Sequence, residues 1–237
     1  MFPVWWMISL KTLLLSYCYF DYVVPERQLM EINLSEDALP WERIGFDIVT
    51  QNSTQSTLVG RTKLCFEKIN TIEGISSVHV EGVKQSVDSL TFNPTTLSAG
   101  EIEAPFHPNQ IVRIDHLVVT TPNPDKTTKA LIEAGITLSG VRTFGNSPNQ
   151  IRQSFFWLGD VILELVGPHE AAKDGNPLFW GLALVSSDIN ETVNYLGDLC
   201  TPLKDAIQPG RQITTVKTRD LSIGVSIAIM SPHVSAN

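Results

Sequence analysis

Positive charge is scarce in this chain of 237 residues, with 17 Lys and Arg against 25 Asp and Glu and a formal net charge of −8 at pH 7. No basic run is present, which excludes nucleic acid as an expected partner, because phosphate neutralisation dominates that kind of affinity. Cysteine is scarcer still. Cys18, Cys65 and Cys200 are far apart and odd in number, with no CxxC, so no disulfide framework is expected and a reducing, cytoplasmic compartment is the reading. Missing too are a P-loop, a dinucleotide glycine fingerprint, HExxH and the GxSxG elbow of hydrolases. Charged residues reach only 18% against 43% hydrophobic, at a mean hydropathy of +0.05, which excludes a disordered chain. A chain of this length hides roughly 70% of its unfolded surface and so builds a real core.

Long apolar runs are absent apart from one, at residues 1–29. Met1–Val24 has the length of a bilayer span, about 20 residues. Against that, Lys11 lies mid-segment and Asp21 near its end, and a charge at a helix centre costs about 2.5–3.5 kcal/mol. No positive charge precedes the run and no small-x-small cleavage site follows it, so a secretory signal is disfavoured as well. The expectation is a soluble protein, with an N-terminal anchor or a true start at Met30 as alternatives.

Residues 30–110 read as β-rich. WERIGFDIV, TLVGRTKLCFEKI, GISSVHVEGV and VDSLTF alternate apolar and polar positions between turn residues, predicting four or five short strands and no helix above one turn. His79 lies in one such strand and His107 beside Pro108 in a connector; both read as structural histidines. From residue 111 to 237 the pattern changes. VRIDHLVVTT predicts a strand, then Asn123 or Thr121 caps a helix with Pro124 in its first turn, closed by Gly135. ITLSGVRTF, NQIRQSFFWLG and DVILELVG predict three more strands, the last two joined through Leu158-Gly159-Asp160. The same β-α-β-β-β order then recurs about 65 residues on, with Asp188 and Glu191 forming a capping box. Each unit leaves an apolar sheet face for its twin to cover.

This paired repeat, with IDHLVV opening the first unit and ILELVGP closing it, resembles the vicinal oxygen chelate superfamily of glyoxalase-like proteins. The longer run RQSFFWLGDVILELVGP…FWGLALV…KDAIQPGR…IAIMSP is similar to a subgroup of uncharacterised glyoxalase-like proteins that also carry a β-rich N-terminal region. The resemblance implies an α+β fold of two β-α-β-β-β modules forming a cup-shaped sheet, paired in a monomer or across a homodimer. It implies a small oxygen-rich or anionic ligand in the cup, and isomerase, lyase or dioxygenase chemistry if the protein is an enzyme; the alternatives are a metal-free binding module or a filled, structural cup. It further implies a divalent metal (Zn, Fe, Mn or Ni) held from the first and fourth strands of each unit. His116 and Glu164 match those positions in the first unit and double as the candidate catalytic pair. In the second unit the matching residues are Gly181 and Ala228, which carry no donor.

Four further residues are candidate ligand contacts. Arg152 and Gln153 share the third strand of the first unit, where alternation lets only one face the cup. Arg211 is expected at the cavity mouth, where a guanidinium clamps a carboxylate or phosphate. Trp180 precedes the vacated Gly181 and is expected to line the cavity. Asp115 is expected on the opposite face from His116. Glu164 interrupts an apolar strand and needs a partner: a metal, His116 or an arginine.

Overall fold

The structure, a computed structural model, describes residues 27–67, 73–83, 86–94, 104–171 and 175–233. The readings of the first segment lie outside these residues, except at its end. No helix among the described residues is long and apolar enough to cross a membrane.

The C-terminal half forms one eight-stranded sheet from two β-α-β-β-β units, as the repeat predicts. The first unit is β7 (Ile111–Thr120), α2 (Pro124–Glu133), β8 (Leu138–Phe144), β9 (Ile151–Leu158) and β10 (Val161–Pro168). The second is β11 (Leu178–Ser186), α3 (Ile189–Leu196), β12 (Lys204–Asp205), β13 (Gln212–Thr215) and β14 (Ser226–Met230). The strand order β12-β13-β14-β11-β7-β10-β9-β8 puts the first strands of both units, antiparallel, at the centre. Local chemistry sets the helix starts. Asn123 caps α2 by accepting from the Lys126 amide, and Asp188 caps α3 by accepting from the Asn190 and Glu191 amides. The reciprocal half expected of the Asp188–Glu191 capping box is replaced: the Asp188 amide donates to Ser186 Oγ instead.

The N-terminal half differs from the sequence expectation. It is a six-stranded sheet in the order β2-β3-β4-β1-β5-β6. Its strands are β1 (Leu29–Leu34), β2 (Val49–Gln51), β3 (Thr54–Val59), β4 (Thr62–Phe66), β5 (Ile75–Val80) and β6 (Phe92–Asn93), with α1 (Leu39–Arg43) between the first two. The strand expected across WERIGFDIV starts only at Val49. Pro40 supports a helical first turn there, and Trp41, fully buried, anchors that turn in the core. VDSLTF is broken by a tight turn with Asp88 and Ser89 at positive φ.

β1-α1-β2-β3-β4 repeats the module topology, with β1 parallel to β4 just as β7 is parallel to β10 and β11 to β14. Glu31, His116 and Gly181 each stand eight positions before their helix begins, at Leu39, Pro124 and Ile189. Their fourth-strand partners are Lys63, Ile162 and Ser226. The N-terminal region is therefore a third, abbreviated module, with β5 and β6 in place of a fourth.

One continuous apolar core joins the two sheets, running from Ile32, Leu64 and Val78 to Leu117, Phe156, Leu163 and Ile227. Polar clasps reinforce it. Glu36, buried, accepts from Trp41 Nε1 (2.8 Å) and from the Gly224 and Val225 amides (2.7 and 3.1 Å). Arg27 Nε donates to the Gly135 carbonyl and Gln28 Nε2 to Asp160, both at 2.7 Å, so residues ahead of Met30 take part in the fold.

His107 is structural, as expected, and its tautomer follows from its partners. Nδ1 accepts from the Asp47 amide (3.2 Å), which leaves Nε2–H to donate to the Leu58 carbonyl (3.0 Å). Burial pushes its pKa below the ordinary value. The unfolded chain therefore takes up this proton first, near pH 6.5, and stability is lost as pH falls from there through the lower folded value. Urea unfolding at pH 7.5 and 5.5 is expected to show a loss that His107→Gln reduces; an unchanged pH slope in the variant removes His107 as the cause.

Candidate functional site

The site lies on the face of the eight-stranded sheet turned away from the helices. Cross-strand pairs define it: His116 opposite Ile162, Val118 opposite Glu164, and Glu164 opposite Phe155. His116 and Glu164 are thus diagonal neighbours on one face, as expected. The same ladders confirm the second-unit equivalents. Gly181 pairs with Ser226, and Ala228 lies two positions beyond, as Glu164 lies two beyond Ile162.

Asp115 does not point away from His116. Ile114 and His116 pair with the adjacent residues Leu184 and Ala183, so Asp115 is the extra residue of a β-bulge, and a bulge suspends alternation. Its carboxylate turns to its neighbour: Oδ2 accepts from His116 Nδ1 at 3.1 Å. It also holds Arg113 Nη1 at 2.9 Å and Arg211 Nη1 at 3.0 Å. Burial alone raises the Asp115 pKa, but the His116 hydrogen bond and the His116, Arg211 and Arg113 charges hold it well below the usual carboxylate range. His116 Nε2 makes no hydrogen bond among the described residues, so the ring presents that nitrogen away from Asp115. Trp180 is the extra residue of a second bulge, between Phe179 and Gly181. It occupies the Asp115 position of the second unit and is half exposed beside Gly181.

Arg211 is not at a cavity mouth. Its side chain is 1% exposed, and its Nε donates to the Ser231 carbonyl at 2.8 Å. Its Nη1 also lies 3.2 Å from His233 Nε2. Burial, then the Arg211 charge, lowers the His233 pKa. Arg211 secures the bulge through Asp115.

Glu164, half-buried, finds its arginine indirectly. It accepts from Gln153 Nε2, and Gln153 Oε1 accepts from Arg142 Nε. The Arg142 guanidinium also stacks on Phe155, 5.5 Å from its centroid. Of the β9 pair, Gln153 faces the cup. Arg152 faces α2, where its Nη2 donates to Asp125 at 2.7 Å, so it is not among the groups brought to this face. Asp115 and Arg142 are the site residues missed from sequence. Period-2 patterning carries no mark of a bulge, and Arg142 lies on an exposed edge strand that reads as surface.

The resemblance read from the sequence implies a metal, and the donor set does not complete one. Glu164 is engaged by Gln153, and neither Gly181 nor Ala228 offers a donor. A Cβ on Gly181 comes within 2.5 Å of the Ser226 carbonyl oxygen, so that position is closed to any side chain. Among the described residues no group of three or more His, Cys, Asp or Glu is arranged to hold a metal ion, whereas a catalytic zinc usually has three protein ligands.

No protein-family model matches the chain, and no curated protein does. Solved structures do. A mutant of 4-hydroxymandelate synthase from Streptomyces coelicolor is similar at 12% identity and TM-score 0.63, over 90% of this chain and 94% of that one. A xylose isomerase-like TIM barrel/4-hydroxyphenylpyruvate dioxygenase fusion protein is similar at 9% identity and TM-score 0.59, over 96% of this chain and 54% of that one. The likeness is one of fold: the chain has the glyoxalase-like fold of paired β-α-β-β-β modules.

Proposed function

We propose that the open face of the eight-stranded sheet binds a small oxygen-rich organic molecule through His116, without a resident metal. The observation that carries this reading is the Asp115–His116 hydrogen bond. It fixes the imidazole and leaves Nε2 for a ligand, diagonally across the β7–β10 pair from the Glu164–Gln153–Arg142 relay. Phe155 and Trp157, alternate residues of β9, supply apolar surface on the same face. The half-empty donor set supports the metal-free form. A second reading, proton transfer at a carbon beside a carbonyl, draws on the same pair: a histidine oriented by a carboxylate is the usual general base.

Elemental analysis of protein purified without a metal-binding tag is expected to find metal far below one equivalent, in wild type and His116→Ala alike. Added Zn²⁺ or Mn²⁺ is expected to leave Tm unchanged. A screen of small dicarbonyls and hydroxy acids by Trp fluorescence is expected to yield ligands that His116→Ala loses. Near-stoichiometric metal that disappears in His116→Ala overturns the metal-free reading; ligands bound equally by both proteins overturn the role of His116.

A further inference from the structure

The opposite face of the same sheet carries a second recess. It lies between α2 and strands β8 and β9, is open to solvent with a volume of about 390 Å³, and is lined by Thr128, Lys129, Ile132, Val141 and Arg152, with Asp125 at its rim. In two of these residues a polar atom, Arg152 Nε and Thr128 Oγ1, lies buried behind the lining with no hydrogen-bond partner among the described residues. Unsatisfied buried donors are rare, and each is costly.

The Arg152 partner is also incomplete. A carboxylate normally grips a guanidinium along one edge with two parallel bonds. Asp125 supplies one, to Nη2, and leaves Nε unmet. Asp125 is itself 77% exposed while Arg152 is 16% exposed, so the acid can swing into water while the base stays in the recess. At the lip, Ile132 and Val141 are about half exposed and form an apolar border. Glu133, on the same lining, is paired with Lys129 at 3.8 Å.

We propose that this recess is a binding site for small apolar monocarboxylates. The ligand carboxylate displaces Asp125 and takes both Nε and Nη2 of Arg152. Its second lone pairs meet the Thr128 hydroxyl, and its hydrocarbon part covers Ile132 and Val141. With Asp125 and Glu133 at the rim, a dianion such as inorganic phosphate is repelled. The site is separate from the cup, since Arg152 and Gln153 point to opposite faces.

The test is titration of ¹⁵N-labelled protein with sodium hexanoate, followed by amide shifts. Saturable shifts are expected at Thr128, Lys129 and Arg152, with none from hexanol or inorganic phosphate. Asp125→Asn removes the internal competitor and is expected to tighten hexanoate binding at least threefold, a direction that loss of a structural contact does not give. Arg152→Lys keeps the charge, removes the bidentate edge, and is expected to weaken binding at least tenfold in protein whose spectrum stays folded. His116→Ala is expected to change nothing here, so this proposal and the reading of the cup fail separately. Binding that Asp125→Asn weakens or leaves unaltered, or shifts that map to the cup, overturns the proposal.

Discussion

Asp115→Ala is expected to cost about 3–5 kcal/mol of stability, the usual result of breaking a buried ion pair by removing one member. The cost falls mainly on Arg211, whose side chain is 1% exposed and pairs with no other carboxylate among the described residues. Arg113, 34% exposed, can turn to water. Urea unfolding measures the loss. The double variant Asp115→Ala/Arg211→Met is expected to recover more than half of it, because the stranded charge is gone. A single-variant loss under about 1 kcal/mol, the scale of an exposed pair, means the cluster does not anchor the bulge. The pH dependence has a definite sign. The folded pKa of Asp115 is depressed, so its contribution is present above the unfolded value near 3.9 and is lost only as pH falls through the lower folded one.

Glu36→Ala is the second large effect. It strands Trp41 Nε1–H and the Gly224 and Val225 amides, each buried donor costing about 1–3 kcal/mol. The loss is expected to reach about 3 kcal/mol or more and to be cooperative, since the clasp spans both sheets. Glu36→Gln is expected to be milder. Its oxygen still serves the two amides, but its NH₂ faces the Trp41 donor. Burial, opposed by these same hydrogen bonds, pushes the Glu36 pKa up, so the ionised form carries a desolvation cost that Gln avoids. Equal losses in Ala and Gln, read by denaturant unfolding, mean that the carboxylate charge and the Trp41 bond carry the whole effect, since Gln keeps the size of Glu.

The C-terminal modules were legible because each structural signal there is local. Asn123 and Asp188 mark the helix starts, and strands such as VILELVG alternate cleanly. The 65-residue repeat survives in the ladders, where His116 and Gly181 differ by 65 and Glu164 and Ala228 by 64. The N-terminal module was not legible as a module. Its helix is five residues long and its N-cap, Ala38, makes no side-chain hydrogen bond. Its defining β1–β4 pairing is parallel and depends on residues about thirty apart, which no window of alternation reports. Within the site, His116 and Glu164 share one face as strand period suggests, whereas alternation alone left open which of Arg152 and Gln153 joins them. Asp115 was misplaced because the bulge is decided by the partner strand. Arg211 was misread because its burial depends on a carboxylate 96 residues away in sequence.

Those matched bulges, with Asp115 on β7 and Trp180 on β11, give the open face a heading. Two equivalent halves related by a half-turn offer a bound molecule two interchangeable poses. Here one half presents an imidazole braced by a carboxylate, while the other presents an indole beside a bare glycine backbone. The poses are no longer interchangeable, so a molecule lying across β7 and β11 has a polar end and an aryl or alkyl end assigned before it arrives.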